Sequence, residues 1–135
     1  MEMYIVEDSA LMRGHLIETL CGIKGIKILG VSGTSKQAVE FLSKRYPEIM
    51  TIDISLQEGT GLDVLKFIKQ RNPDTITVVL TNYAYPQYRD LCSKLGADFF
   101  FDKTKEYNDF VNAIVELQKT FEEKGTHAVQ VKDSL

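Results

Sequence analysis

Five short apolar runs, each followed by a segment of helical period, constrain the fold of this chain more than any other feature. The runs are Met3–Val6, Ile26–Val31, Ile49–Ile52, Ile76–Leu80 and Phe99–Phe101. Most lack the polar alternation of a strand with one wet face, and several contain β-branched residues. Such runs suit strands covered on both faces, as in a parallel sheet. Between them, apolar residues recur at spacings of three and four, as burial of one helix face requires. The first helix has Leu11, Leu16 and Leu20 on its inner face, with Met12 beside them. The second uses Ala38, Val39 and Leu42 and ends near Tyr46-Pro47. The third uses Leu62, Leu65 and Ile68 and stops at Asn72-Pro73. The fourth starts at Pro86, a favoured first helical residue, carries Leu91, Cys92 and Leu95, and ends at Gly96. The fifth places Phe110, Ile114, Leu117 and Phe121 on one face.

Five βα units with short connections and right-handed crossovers predict an α/β fold, a doubly wound three-layer α/β/α sandwich on a five-stranded parallel sheet. A chain of 135 residues is enough for one such domain with a proper core. The helical pattern fades after Lys124 into "GTHAVQVKDSL", so residues 1–124 read as the domain and 125–135 as a C-terminal tail or the start of a linker. The net charge of -3, with basic residues scattered, gives no support for direct nucleic-acid binding. No apolar run reaches the length of a membrane span, and the N-terminus lacks the pattern of a secretory signal. A cytoplasmic protein is expected. Cys21 and Cys92 are not at metal-ligand spacing and read as buried free thiols. His15 reads as a helix-flank residue and His127 as part of the tail.

Ligands of open α/β sheets bind beyond the carboxyl ends of the strands, so the residues there carry the functional signal. After the first strand come Glu7 and Asp8, after the third Asp53, after the fourth Thr81 and after the fifth Lys103. Each has an ordinary explanation alone. Asp8 or Ser9 can cap a helix, Asp53 and Thr81 can begin turns, and Lys103 can be solvated. Together they place three acids, a hydroxyl and an ammonium on one sheet edge. Three carboxylates in a cleft call for a hard cation, and Mg²⁺ takes one or two carboxylates plus water and phosphate oxygens. An aspartate beside that cation can act as a carboxylate nucleophile toward a phosphoryl group and give an acyl phosphate. The lysine offsets charge on the transferring group, and the threonine can donate to its oxygens.

On these residues the chain resembles the response-regulator receiver domain of two-component systems, over about residues 2 to 123. The resemblance implies a flavodoxin-like (βα)5 fold with strand order 2-1-3-4-5 and a regulatory phosphoacceptor, not an enzyme, that promotes its own phosphorylation and dephosphorylation. Asp53 matches the acceptor of a phosphoryl group from a phosphohistidine, and Thr81 and Lys103 match the family's hydroxyl and lysine. Glu7, Asp8, Asp53 and the backbone carbonyl of Ser55 match the Mg²⁺ (or Mn²⁺) ligands, with Glu7 acting through water. "GADFFFDK" puts Phe100 at the switch aromatic, and Gly61 matches the glycine that opens the third helix. The implied partners are a sensor histidine kinase or phosphotransfer protein. A homodimer can form through the face of the fourth helix, fifth strand and fifth helix, where Tyr85, Gln87 and Arg89 lie. Strand alternation puts at least one of Phe99 and Phe101 in the sheet core.

Four residues depart from the family pattern. Gln57 stands where proline is common, which suggests a looser loop. Asn82 follows Thr81 where a small residue is usual, which suggests restricted access for the phosphodonor. Thr104 follows Lys103 where proline is common, so a trans bond and a shifted lysine are expected. Phe100 replaces the more frequent tyrosine. At the two positions that tune self-dephosphorylation stand Ser55 and Tyr83, neither an acid nor an amide, so loss of phosphate is expected to be slow. The alternative reading is a pseudo-receiver, a protein-interaction module independent of phosphorylation. A flavodoxin-like FMN site would want a hydroxyl-rich loop where Glu7 and Asp8 stand, and a haloacid-dehalogenase-like phosphatase would want D-x-D where "EDS" stands. The sequence leaves open the cognate kinase, the output, and whether the domain acts alone or within a longer regulator.

Overall fold

A computed structural model describes residues 1–134, with side chains through residue 124. The elements alternate as β1 (Glu2–Val6), α1 (Ala10–Cys21), β2 (Lys27–Ser32), α2 (Ser35–Leu42), β3 (Ile49–Ile52), α3 (Gly61–Arg71), β4 (Ile76–Thr81), α4 (Pro86–Lys94), β5 (Phe99–Asp102) and α5 (Tyr107–Ser134). The sheet order is β2-β1-β3-β4-β5, and every pairing is parallel. This is the predicted topology.

The apolar runs lack alternation because both faces of the sheet are covered. Tyr4, Val6, Met50, Ile52 and Val79 face one layer, where they meet Ala38 and Leu42 of α2, Val64, Leu65 and Ile68 of α3, and Cys92 of α4. Met3, Ile5, Ile49, Val78 and Leu80 face the other, where they meet Leu16 and Leu20 of α1 and Phe110 and Ile114 of α5. Successive residues of one strand thus serve opposite cores. Phe99 and Phe101 pack on the α1/α5 side and Phe100 on the other.

Hydroxyl side chains start three of the helices. Ser9, Thr34 and Thr60 each accept from the backbone N–H three residues on, at 3.2, 3.2 and 3.3 Å. Each satisfies a donor that the first helical turn cannot.

Several sequence expectations need correction. Leu11 is not on the inner face of α1 but 87% exposed. It lies about 140° around the helix from Leu16, whereas Met12 lies about 40° away and packs on the core. Leu91 is exposed while its neighbour Cys92 is fully buried, since one residue turns the helix by about 100°. Cys21 is exposed, so only Cys92 fits the buried-thiol reading. Val64 is fully buried in α3, while Leu62 is only partly so. Helix α2 ends at Leu42, short of Tyr46-Pro47. Ser43 caps it with its hydroxyl on the Val39 carbonyl at 2.7 Å, and a residue before proline avoids helical backbone in any case. Helix α5 runs to Ser134, through the segment read as a tail. Gly125 weakens a helix interior by about 1 kcal/mol without ending it. Phe121 keeps the helical spacing but is 41% exposed, because α5 outruns the four-residue strand beside it. The side chain of His127 lies outside the described residues. His15 is exposed on α1 and stacks on Tyr107, ring centroids 5.5 Å apart.

Candidate functional site

Parallel pairing sets the site. Beyond the strand ends, Glu7 N–H donates to the Ser32 carbonyl at 2.8 Å, Asp53 N–H to Val6 at 3.0 Å and Lys103 N–H to Thr81 at 2.9 Å. These residues therefore leave the sheet in register, at one edge, although Glu7 and Lys103 are 96 positions apart in the chain. Glu7 and Asp53 are buried, at 1% and 5% exposure, which carboxylates tolerate only when paired.

The pairing comes from Lys103. Its Nζ lies 2.8 Å from Asp53 Oδ2 and 2.5 Å from Glu7 Oε1. Backbone donors complete the set, Ser9 N–H to Glu7 Oε2 at 3.1 Å and Ser55 N–H to Asp53 Oδ1 at 3.2 Å. Burial pushes the Glu7 carboxyl above the usual range, and the bonds from Lys103 and Ser9 only partly oppose it. Burial works the other way on Lys103 and disfavours its charge, but the bonds and charges of Asp53 and Glu7 outweigh it and raise its pKa.

Asp8 completes the cluster. Ser9, not Asp8, caps α1, so the Asp8 carboxylate remains for the site. One carboxylate oxygen each of Glu7, Asp8 and Asp53 lies within 4.8 Å of the others. Lys103 bonds only Glu7 and Asp53, and Asp8 is in no salt bridge among the described residues. Three carboxylates against one ammonium leave an all-oxygen, negatively charged donor set, which fits a hard divalent cation such as Mg²⁺.

The remaining site residues surround this cluster. Thr81 is fully buried at the end of β4, and its Oγ1 accepts from the Tyr83 N–H at 3.1 Å. Ser55 sits beside Asp53, where a backbone bridge to Thr60 closes the β3–α3 loop. Gly61 opens α3 because nothing larger fits: a β-carbon there would lie 2.0 Å from the Asp53 carbonyl oxygen. Tyr83 and Tyr88 line a cavity of about 270 Å³ with Ile54, Ser55, Leu56, Gly59 and Thr60.

The departures from the family pattern have structural counterparts. No peptide bond among the described residues is cis, yet Lys103 is not shifted from the cluster. Asp102 shapes the β5–α5 loop instead, its Oδ1 accepting from the Thr104 and Lys105 N–H groups at 2.8 and 3.3 Å. Thr104 Oγ1 reaches Asn82 Oδ1 at 3.3 Å and links the two loops that flank the lysine. The Gln57 loop is tied down by the Ser55–Thr60 bridge and by Ser35 N–H on the Glu58 carbonyl at 3.1 Å.

Two arginines have partners that the sequence does not indicate. The Arg89 guanidinium carbon lies 4.6 Å from the centroid of the Phe100 ring, and the group also bonds the Phe100 carbonyl at 3.1 Å and Glu106 Oε1 at 2.9 Å. It covers the half-buried Phe100 ring, a cation on a π face. Arg13 folds back from α1 onto the acidic pair. Its spacing of five from Asp8 was the available signal, but nothing in the sequence distinguishes it from a solvated arginine.

An open parallel sheet in the order 2-1-3-4-5, flanked by helices, with an acid cluster, a buried hydroxyl and a bridging lysine at its carboxyl edge defines a flavodoxin-like α/β domain. The sequence model of the response regulator receiver domain matches residues 3–115. The chain belongs to the response-regulator receiver family. It is 29% identical over 112 residues to the transcriptional regulatory protein DesR of Bacillus subtilis, covering 83% of this chain and 55% of DesR. It is also 29% identical over 85 residues to the photosynthetic apparatus regulatory protein RegA of Rhodobacter capsulatus, covering 63% of this chain and 46% of RegA. The chain thus spans about half the length of these relatives. Among solved structures, the response regulatory domain of Klebsiella pneumoniae protein mrkE superposes with a TM-score of 0.80 at 20% identity, covering 91% of this chain and 99% of that one. The response regulator domain of Thermotoga maritima CheB gives 0.78 at 20% identity, covering 89% and 94%. These likenesses show the fold. No helix among the described residues is long and apolar enough to cross a membrane.

Proposed function

We propose that this domain accepts a phosphoryl group on Asp53 in a Mg²⁺-dependent reaction and relays it as a conformational signal. The observation that carries this reading is the Lys103 ammonium bridging Asp53 and Glu7 beside the Glu7/Asp8/Asp53 cluster. A buried lysine paired only for stability would not need a third, unpaired acid.

Glu7, Asp8, Asp53 and the Ser55 carbonyl would hold Mg²⁺, Glu7 through water, and the ion would neutralise the non-bridging phosphoryl oxygens. Asp53 supplies the nucleophile: a carboxylate oxygen attacks phosphorus, the P–N bond of a phosphohistidine breaks, and the imidazole leaves with the bond's electron pair. Lys103 offsets charge on the incoming group, and the Thr81 hydroxyl turns to donate to it. Phe100 then moves into the space beside Thr81, and the face of α4, β5 and α5 changes shape. Phosphate acts here by favouring one of two arrangements. The donor is a sensor histidine kinase or phosphotransfer protein, this domain acts in the cytoplasm, and the altered face signals to an output domain, a partner or a second copy of the chain.

The test is beryllofluoride with Mg²⁺, followed by NMR of the backbone amides. Shifts at Asp53, Thr81 and Phe100 are expected. Absence of any adduct, with acetyl phosphate equally inert, would leave a protein-interaction module instead.

The Ser55 and Tyr83 positions bear on phosphate lifetime. Neither can orient an attacking water as a carboxylate would, and Tyr83 stands over the cavity beside Ser55. Tyr83→Glu should shorten the aspartyl-phosphate half-life several-fold, read by intact mass after removal of donor. An unchanged or longer half-life would count against slow intrinsic loss.

A further inference from the structure

We infer that Arg13 is a positioning residue for the cation site and acts through the backbone of the acidic pair, with Gly33 leaving the space it needs. This rests on the Mg²⁺ reading above.

Asp8 is the one acid of the cluster that Lys103 does not bond, so its position depends on the loop that carries it. That loop is held from behind. Arg13 Nη1 donates to the Glu7 carbonyl at 2.9 Å and to the Asp8 carbonyl at 3.1 Å. Two successive carbonyls turned to one guanidinium nitrogen fix the peptide planes on both sides of Asp8, and with them the direction in which its side chain leaves. Meanwhile Ser9 N–H holds the Glu7 carboxylate at 3.1 Å. The side chains of the pair therefore point to the cluster while their carbonyls point to Arg13.

The placement runs against local electrostatics. Arg13 lies near the start of α1, a helix with no acid in its first turn, and a cation near a helix N-terminus is disfavoured by the dipole. Its bonds to the acidic pair's carbonyls offset that cost. Gly33, at the end of β2, borders the same point. A β-carbon there would lie 2.9 Å from Arg13 Nη1, 3.6 Å from Asp8 Cα and 3.7 Å from the Glu7 oxygen. Only the first distance is a clash, so a side chain at Gly33 would displace the guanidinium and leave the backbone alone.

Arg13 thus orients a ligand through its main chain, and loss of such outer partners costs metal affinity by about 10–100-fold in known sites. The direction of the effect separates this role from simple charge. If Arg13 acted only as a nearby positive charge, removing it would tighten Mg²⁺ binding.

The experiment is Mg²⁺ titration of the unphosphorylated protein by calorimetry, with amide exchange of residues 7 to 10 measured without metal. Arg13→Ala should weaken Mg²⁺ about tenfold and speed exchange at Ser9 and Ala10. Gly33→Ala should weaken Mg²⁺ in the same direction by a smaller factor, and the double variant should bind no more weakly than Arg13→Ala, because both changes remove one interaction. Arg13→Lys should restore part of the affinity. Tighter or unchanged Mg²⁺ binding in Arg13→Ala overturns the inference, as does additivity with Gly33→Ala. A wild type that binds no Mg²⁺ overturns instead the cation reading on which it rests.

Discussion

Asp53→Asn should abolish stable phosphorylation, lowering adduct formation with acetyl phosphate by at least about 100-fold, as read by intact mass. The carboxamide keeps the size of Asp53, and its single oxygen can still accept from Ser55 N–H; the amide NH2 takes the place of the oxygen that Lys103 bonds, but Lys103 keeps Glu7, so the fold should survive. What it loses is the carboxylate oxygen that attacks phosphorus. The change also removes one negative charge from the three-acid cluster, so Mg²⁺ should bind more weakly. Thermal stability without metal should stay the same or rise, because Lys103 then answers to Glu7 alone and repulsion within the cluster falls. Persistent phosphorylation of the Asp53→Asn variant at the wild-type rate would place the acceptor elsewhere.

Lys103→Met should have the largest effect on stability. Methionine replaces the aliphatic stem but strands two buried carboxylates, Glu7 and Asp53, whose side chains are 2% and 7% exposed. Removing one partner of a buried ion pair costs on the order of 3 kcal/mol. The pH dependence follows from Glu7, whose pKa is already raised by burial despite the opposing bond from Lys103. Without the lysine it rises further. A carboxyl with a raised folded-state pKa contributes stability that is present at low pH and lost as pH rises through that pKa. The deficit of the variant should therefore shrink toward acid and grow toward neutral pH. Mg²⁺ should restore part of the loss at neutral pH, since a ligand of the folded state stabilises it by mass action. Urea melts of both proteins at two pH values, with and without Mg²⁺, measure all three effects. A variant as stable as wild type at neutral pH without metal would mean that Lys103 does not compensate these acids.

The topology was legible because local and global signals agree. Met3–Val6 and Ile49–Ile52 are wholly buried between two helix layers, and that double burial is what removed polar alternation from their sequence. Glu7, Asp53, Thr81 and Lys103 were legible for a related reason, since parallel strands put every residue that follows a strand at the same edge. Leu11 and Leu91 misled because an apolar residue records its solubility but not its angle around a helix. Within a few residues the angle is decided by which neighbours reach the sheet. Phe121 and the end of α5 misled because helix length is not tied to the length of the strand it covers.

The sequence by itself determined the five βα units, the residues that stand at the carboxyl edge and the family resemblance, all of which depend on residue type at positions the strands index. Only the tertiary structure decided that Ser9 caps α1 and leaves Asp8 to the site, that Lys103 bridges two acids far away in the chain, and that Asp102 shapes the loop where the family's proline is missing. It also decided that Arg13 and Arg89 turn back onto the acidic pair and onto Phe100. Long flexible side chains reach several ångströms in any direction, so their partners are set by packing in space and leave no periodic trace in the chain.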